Sequence, residues 1–207
     1  MEKFLILQAT YENVQFSLYN DLTLIESGFV DKMEASSLLM SRLCALLQKH
    51  ALTFSHLAFI GASQGPAPFT TLRSMIATLN GIGFATKVPL VGCDGLEVFV
   101  KAHHTKNKTV ALLNAFSGDI YYALYDGKTV QTGWEKPDTY IACLSHTFAH
   151  ETFTFIGNAV PEDKKQGPDF PTLENIATAC YEKYKKNDLT TQLLPLHMKV
   201  MDYKKSC

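Results

Sequence analysis

The sequence predicts an α/β protein, with mixed sheets carrying helices and a β-β-β-α arrangement used twice. Three observations predict it. Three short apolar stretches, "KFLILQA" (3–9), "NVQFSLYN" (13–20) and "LTLIESGFV" (22–30), follow one another with only turn residues such as Asn20 and Asp21 between them. Helix and strand patterns then alternate as far as residue 104. A second set of stretches, "KTVALLNAF" (108–116), "DIYYALYD" (119–126) and "KTVQTGW" (128–134), repeats the opening in outline, with Asp126-Gly127 as a hairpin turn. A meander followed by alternation calls for a mixed sheet covered by helices.

The remaining elements come in order along the chain. Apolar residues at helical spacing predict a helix from about Met33 to His50, where a polar cluster ends it. A strand "HLAFIGA" (56–62) comes next, then a helix over 69–85, a short strand "VPLVGC" (88–93) and a helix from about Gly95 to His104. In the second half, an ambiguous segment at 138–149 precedes a strand "TFTFIG" (152–157), a Pro/Gly/Lys-rich loop (160–171) and a helix from about Thr172 to Lys186. The expected division is a lobe over 1–105 and a smaller one over 106–207.

Composition narrows the function. A formal net charge of −1 over 207 residues supplies no general pull toward nucleic acid or an anionic membrane. The doublets Lys164-Lys165, Lys185-Lys186 and Lys204-Lys205 read as solvated faces. The longest apolar runs fall short of a membrane span, and the first ten residues read as an amphipathic strand rather than a leader; the expectation is a cytoplasmic protein. Cys44, Cys93, Cys143, Cys180 and Cys207 are far apart, without a C-x-x-C pair, and read as buried or free thiols.

Two helices stand out. Met33, Leu39, Met40, Leu43, Leu46 and Leu47 share one arc of the first, about half its circumference, against the ~100° stripe that one core contact needs. In the second, Phe69, Leu72, Met75, Ile76, Leu79 and Ile82 form a bulky face. Thr70, Ser74, Ala77 and Gly81 run down the opposite side at i, i+4, i+7 and i+11, a spacing that lets another backbone approach closely. Spacing alone leaves open whether both faces are absorbed inside the monomer or one meets a partner.

The stretch "QGPAPFTTLRSMIATLNGIGFATKVPLVGCDGLEVF" (64–99) resembles the "GPGSFTGLR" segment of the bacterial TsaB family, also called YeaZ, together with that segment's downstream continuation. Gly65, Pro66, Phe69, Thr70 and Arg73 are the motif residues retained, whereas Ala67, Pro68 and Thr71 replace Gly, Ser and Gly. Weaker matches bracket it: "FLILQAT" at the first strand, "LLNAFSGDIYYALY" at the second-lobe hairpin, and "LLPLHMK" near the end. The resemblance implies the two-lobed fold of the actin, Hsp70 and sugar-kinase (ASKHA) superfamily. It also implies a non-catalytic subunit that pairs with a TsaD-like catalytic subunit in making threonylcarbamoyladenosine in tRNA, with a TsaE-like ATPase joining. Pairing would use the helices at 33–50 and 69–85, and Leu39, Leu43, Leu46, Leu72, Ser74, Met75, Ala77 and Gly81 are the expected contacts. The chain alone would bind no cofactor, ATP and Mg²⁺ belonging to the partner subunits, and tRNA would be met only through the complex. Without its partner the chain is expected to pair with itself.

The rival reading is an autonomous kinase of the same superfamily. Such enzymes hold Mg²⁺-nucleotide with a first-strand Asp and hairpin amides, because phosphoryl transfer needs the metal to neutralise charge. Here that position is Gln8, and in the second lobe Asn114 and Phe116 replace the family's Asp and Arg. A neutral amide is a poor Mg²⁺ anchor. His146 and His150, with Glu151 alongside, have metal-ligand spacing if helical but lack a third ligand, so no metal site is expected.

Overall fold

The computed structural model describes residues 2–149 and 151–196. Its elements are β1 (Lys3–Ala9), β2 (Asn13–Asn20), β3 (Thr23–Asp31), α1 (Ala35–Lys49), β4 (Phe59–Ser63), α2 (Phe69–Thr86), β5 (Leu90–Cys93), α3 (Gly95–Ala102), β6 (Lys108–Asn114), β7 (Ile120–Tyr125), β8 (Val130–Glu135), α4 (Pro137–Thr147), β9 (Phe153–Ile156) and α5 (Leu173–Lys185). The ambiguous segment at 138–149 is thus mostly helix, started by Pro137 at its first position, where a missing N–H costs nothing. α1 begins two residues later than expected because Asp31 accepts a hydrogen bond from the Met33 amide, a turn that delays the helix.

Both sheets use one topology. In the first the order is β3-β2-β1-β4-β5, and in the second β8-β7-β6-β9, so β3-β2-β1-β4 is repeated. In each, the leading strand pairs antiparallel with the next strand and parallel with the one that returns after a helix. This is the mixed α/β architecture with a repeated strand arrangement that the sequence predicts.

The chain divides into two compact units: the described residues of Met1–Val98 with Thr172–Leu196, and those of Phe99–Pro171. A single boundary near Thr105 therefore misplaces α5, which belongs with the first sheet. The reason is hydrophobic. β1 is buried along Phe4, Leu5, Ile6 and Leu7, so its sheet has two apolar faces to cover. Leu5 and Leu7 join the core under α1 and α2, whereas Phe4 and Ile6 face Ile176, Ala177 and Cys180 of α5. Phe4 stacks on Phe59 and Tyr181 at centroid distances of 4.5 and 5.4 Å, and Phe59 stacks on Tyr184 at 4.7 Å. Gly61 makes the close approach of α5 achievable, because a β-carbon there would lie 2.8 Å from Cys180 Cβ. After α5 the chain returns over α2, where Asn80 exchanges two hydrogen bonds with the Leu193 backbone.

The second unit packs α4 through Tyr140 and Leu144 onto Val110, Leu112, Ile120 and Leu124. Tyr140 stacks on Tyr122 at 4.0 Å, and Tyr122 in turn fits against Gly133 on the neighbouring strand. Gly61→Val forces two branched methyls against α5 and is expected to lower the free energy of urea unfolding by about 1–3 kcal/mol, the usual range for overpacking a dense core. An unchanged midpoint contradicts the tight α5 packing.

Candidate partner surface and nucleotide position

α1 and α2 lie side by side over one face of the first sheet. Their bulky residues point inward: Leu39, Leu43, Leu46 and Leu47 of α1, and Leu72, Met75, Ile76, Leu79 and Ile82 of α2, are all buried in one core. Five of the expected partner contacts, Leu39, Leu43, Leu46, Leu72 and Met75, are therefore core residues of their own unit and present nothing to another chain. The sheet's apolar face required them. Ser74, Ala77 and Gly81 lie on the opposite side of α2: Ala77 and Gly81 are exposed and Ser74 half-buried. A β-carbon added at Gly81 meets nothing within 4 Å, so the stripe opens outward.

Other residues break the expected faces. Met33 is 80% exposed and Met40 45%, although the wheel places both on the buried arc. Phe84, 77% exposed, extends the α2 stripe and carries Lys87 Nζ 4.5 Å above its ring. These three apolar side chains are exposed, and the sequence reading named none of them as a partner contact. The signal was present for Phe84, fourteen positions after Thr70 and thus on the same side of the helix. On α1 the surface is kept low by serines folded back on their own helix, with Ser37 Oγ donating to the Glu34 carbonyl and Ser41 Oγ to that of Leu38.

The loop before α2 is built for shape. Gly65 takes φ +123°, a region that side chains disfavour, and its carbonyl accepts from the Gly95 amide at 2.8 Å. Pro66 follows it, and Pro68 stands immediately before the helix. Thr70 does not cap the helix: it is the second residue of α2, whose first position is Phe69 and whose preceding Pro68 has no capping side chain. Phe69 is half-exposed rather than core, and Arg73 covers it with its guanidinium 3.9 Å from the ring centroid.

Gln8 and Asn114, the positions at which the resemblance would put carboxylates, lie one in each unit. Gln8 is buried near the end of β1 and pairs in register with Gln15. In the hairpin beyond it, Thr10 Oγ1 accepts hydrogen bonds from the Glu12 and Asn13 amides and donates toward Asn13, while the Thr10 amide bonds the Asn13 carbonyl. Both amides are thus satisfied by one threonine. In the second unit, Asn114 Oδ1 accepts from the Phe116 amide at 2.7 Å, closing its own turn.

Of the histidine pair, His146 is exposed on the last turn of α4, which ends at Thr147, and His150 lies outside the described residues, as do Cys207, Lys204-Lys205 and the last three residues of "LLPLHMK". Glu151 pairs with Lys108 instead, at 2.6 Å. Among the described residues no group of three side chains is placed to hold a metal ion. Lys165 pairs with Asp169 and Lys185 with Glu2, consistent with solvated basic faces. Cys93 and Cys180 are buried thiols 3.8 Å apart, Cys44 is half-buried and Cys143 exposed. No described helix is long and apolar enough to cross a membrane.

Residues 33–190, well over half of the chain, match the family described as TsaD: tRNA N6-adenosine threonylcarbamoyltransferase. The chain belongs to that family. Its fold is shared by a solved structure of an uncharacterized protein "with similarity to peptidase YEAZ from Pseudomonas aeruginosa", with a TM-score of 0.74 at 16% identity over 96% of this chain and 100% of that one. YeaZ from Pseudomonas aeruginosa gives a TM-score of 0.71, also at 16% identity, over 95% of this chain and 100% of its own. No curated protein sequence matches the chain.

The burial pattern separates two substitutions that the wheels alone treat alike. Leu43→Glu places an unpaired charge in the core and is expected to cost about 3 kcal/mol or more, abolishing the cooperative thermal transition. Ala77→Arg is expected to change stability by no more than about 0.5 kcal/mol, as surface substitutions usually do. A large loss for Ala77→Arg shows the stripe to be packed.

Proposed function

We propose that this chain is a TsaB-like, non-catalytic subunit that pairs with a TsaD-like subunit in threonylcarbamoyladenosine modification of tRNA. One observation carries the reading. α2 turns Leu72, Met75, Ile76, Leu79 and Ile82 inward and leaves Thr70, Ser74, Ala77 and Gly81 as an open stripe ending in the exposed Phe84, a surface on which a second helix packs closely. Membership of the TsaD family and the YeaZ fold support the choice of partner and process.

The accessory role draws support from the nucleotide positions. Gln8 offers no carboxylate to Mg²⁺, and the Thr10 hydroxyl holds the hairpin amides that a phosphate would need. The transfer chemistry, with its ATP and Mg²⁺, then belongs to the partner subunits, with a TsaE-like ATPase as a third component and tRNA reached through the complex. The same exposed stripe serves self-pairing when the partner is absent.

Co-expression with the TsaD-like subunit of the same cell tests the pairing. The wild-type chain is expected to co-purify with it, and Ala77→Arg, folded by its thermal transition, is expected to lose it, since a stable pairing of ~1,200 Å² or more cannot seat an arginine on its small-residue face. Retention of the partner by Ala77→Arg overturns the assignment of the surface. Titration of the isolated chain with Mg-ATP tests the accessory role: tight, magnesium-dependent binding returns the kinase reading.

A further inference from the structure

The first sheet is covered unevenly on its α5 side. α5 lies over β1, β4 and β5, and its N-terminal end stops short of the β2–β3 edge. A cavity of about 340 Å³ opens there, lined by Ser17, Tyr19, Leu22, Leu24, Ser27 and the first turn of α5. Ser27 stands across from Ser17, and the register shift between Leu18 and Tyr19 puts Leu24 across from Tyr19. Leu22 and Leu24, each 51% exposed, form an apolar rim.

The floor is polar and unsatisfied. Ser17 is fully buried, yet its Oγ makes no hydrogen bond among the described residues. Its hydroxyl lies close enough to Tyr19 to temper the rise that burial imposes on the phenol, without a bond of good geometry. A buried hydroxyl left unpaired costs about 1–3 kcal/mol, which a ligand atom at that point recovers.

The charge at the rim decides what kind of atom that is. The start of α5 is no anion site: Thr172 and Asn175 close a reciprocal capping box, and Glu174 places a carboxylate in the first turn. Glu174 is exposed, faces Tyr19 closely enough to raise its pKa further, and has no cationic partner among the described residues. No lining residue is basic. The ensemble therefore combines leucines for methylene groups, a carboxylate for a positive charge, and hydroxyl oxygens at the floor.

We propose that this cavity binds a primary ammonium group on an unbranched alkyl chain, the chemistry shared by a free alkylamine and a lysine side chain. The stem lies between Leu22, Leu24 and Leu173, and the ammonium donates to Glu174 and to the oxygens of Ser17 and Tyr19.

Amide-resolved NMR titration of the full chain tests it with three probes: n-butylammonium, Nα-acetyl-lysine methylamide, and uncharged n-butanol. Both ammonium probes are expected to saturate in the millimolar range, shifting the amides of Ser17, Ser27 and Leu173, and to bind at least threefold better than butanol. Glu174→Gln is expected to weaken them about threefold to fivefold, the effect of one exposed ion pair. Ser17→Ala is expected to weaken them severalfold while leaving the stability of the empty protein unchanged or higher. Tighter binding of the lysine derivative assigns the cavity to a protein side chain, and tighter binding of butylammonium to a free amine. Equal binding of butanol, or affinity unchanged in Glu174→Gln, overturns the proposal.

Discussion

Everything in the first unit depends on the double-sided burial of β1. A strand reading Phe4-Leu5-Ile6-Leu7, with every side chain inaccessible, commits its sheet to an apolar layer on each face. One layer comes from α1 and α2, next in the chain. The other comes from α5, more than a hundred and fifty residues later, and it is held by aromatic stacking around Phe4 and Phe59 and by the absence of a side chain at Gly61.

The same demand decides which faces of α1 and α2 are left for other proteins. Their leucines, isoleucine and methionine side chains are consumed in covering the sheet, at about 25 cal/mol per Å² of apolar surface removed from water, so what remains outside is small or polar, relieved by Met33, Met40 and Phe84. A small-residue surface is a poor hydrophobic attractor but a good seat for another helix, because backbones approach closely over Ala77 and Gly81. On the proposed reading, pairing rests on fit over this surface.

Beyond the end of β1, the hydrogen-bonding capacity of the first hairpin is turned inward. Thr10 uses its single hydroxyl to accept from the Glu12 and Asn13 amides and to donate its one proton toward the Asn13 oxygens, which fixes the turn. Gln8, near the end of the same strand, adds a neutral amide rather than a carboxylate.

Sequence alone determined the elements and their repetition, because periodicities of two and of 3.6 survive in any stretch that buries one face, and it determined the chemical poverty of Gln8 and Asn114, which is a matter of residue identity. It marked Ser74, Ala77 and Gly81 as a stripe. It did not decide which side of either helix was buried: on the α1 wheel, Leu39 and Met40 share one broad arc, yet one fills the core and the other meets solvent. Nor did it place α5 with the first sheet. Both decisions belong to the tertiary structure, because they turn on which apolar surfaces are left uncovered once the strands have paired, and that sum is taken over residues distant in the chain.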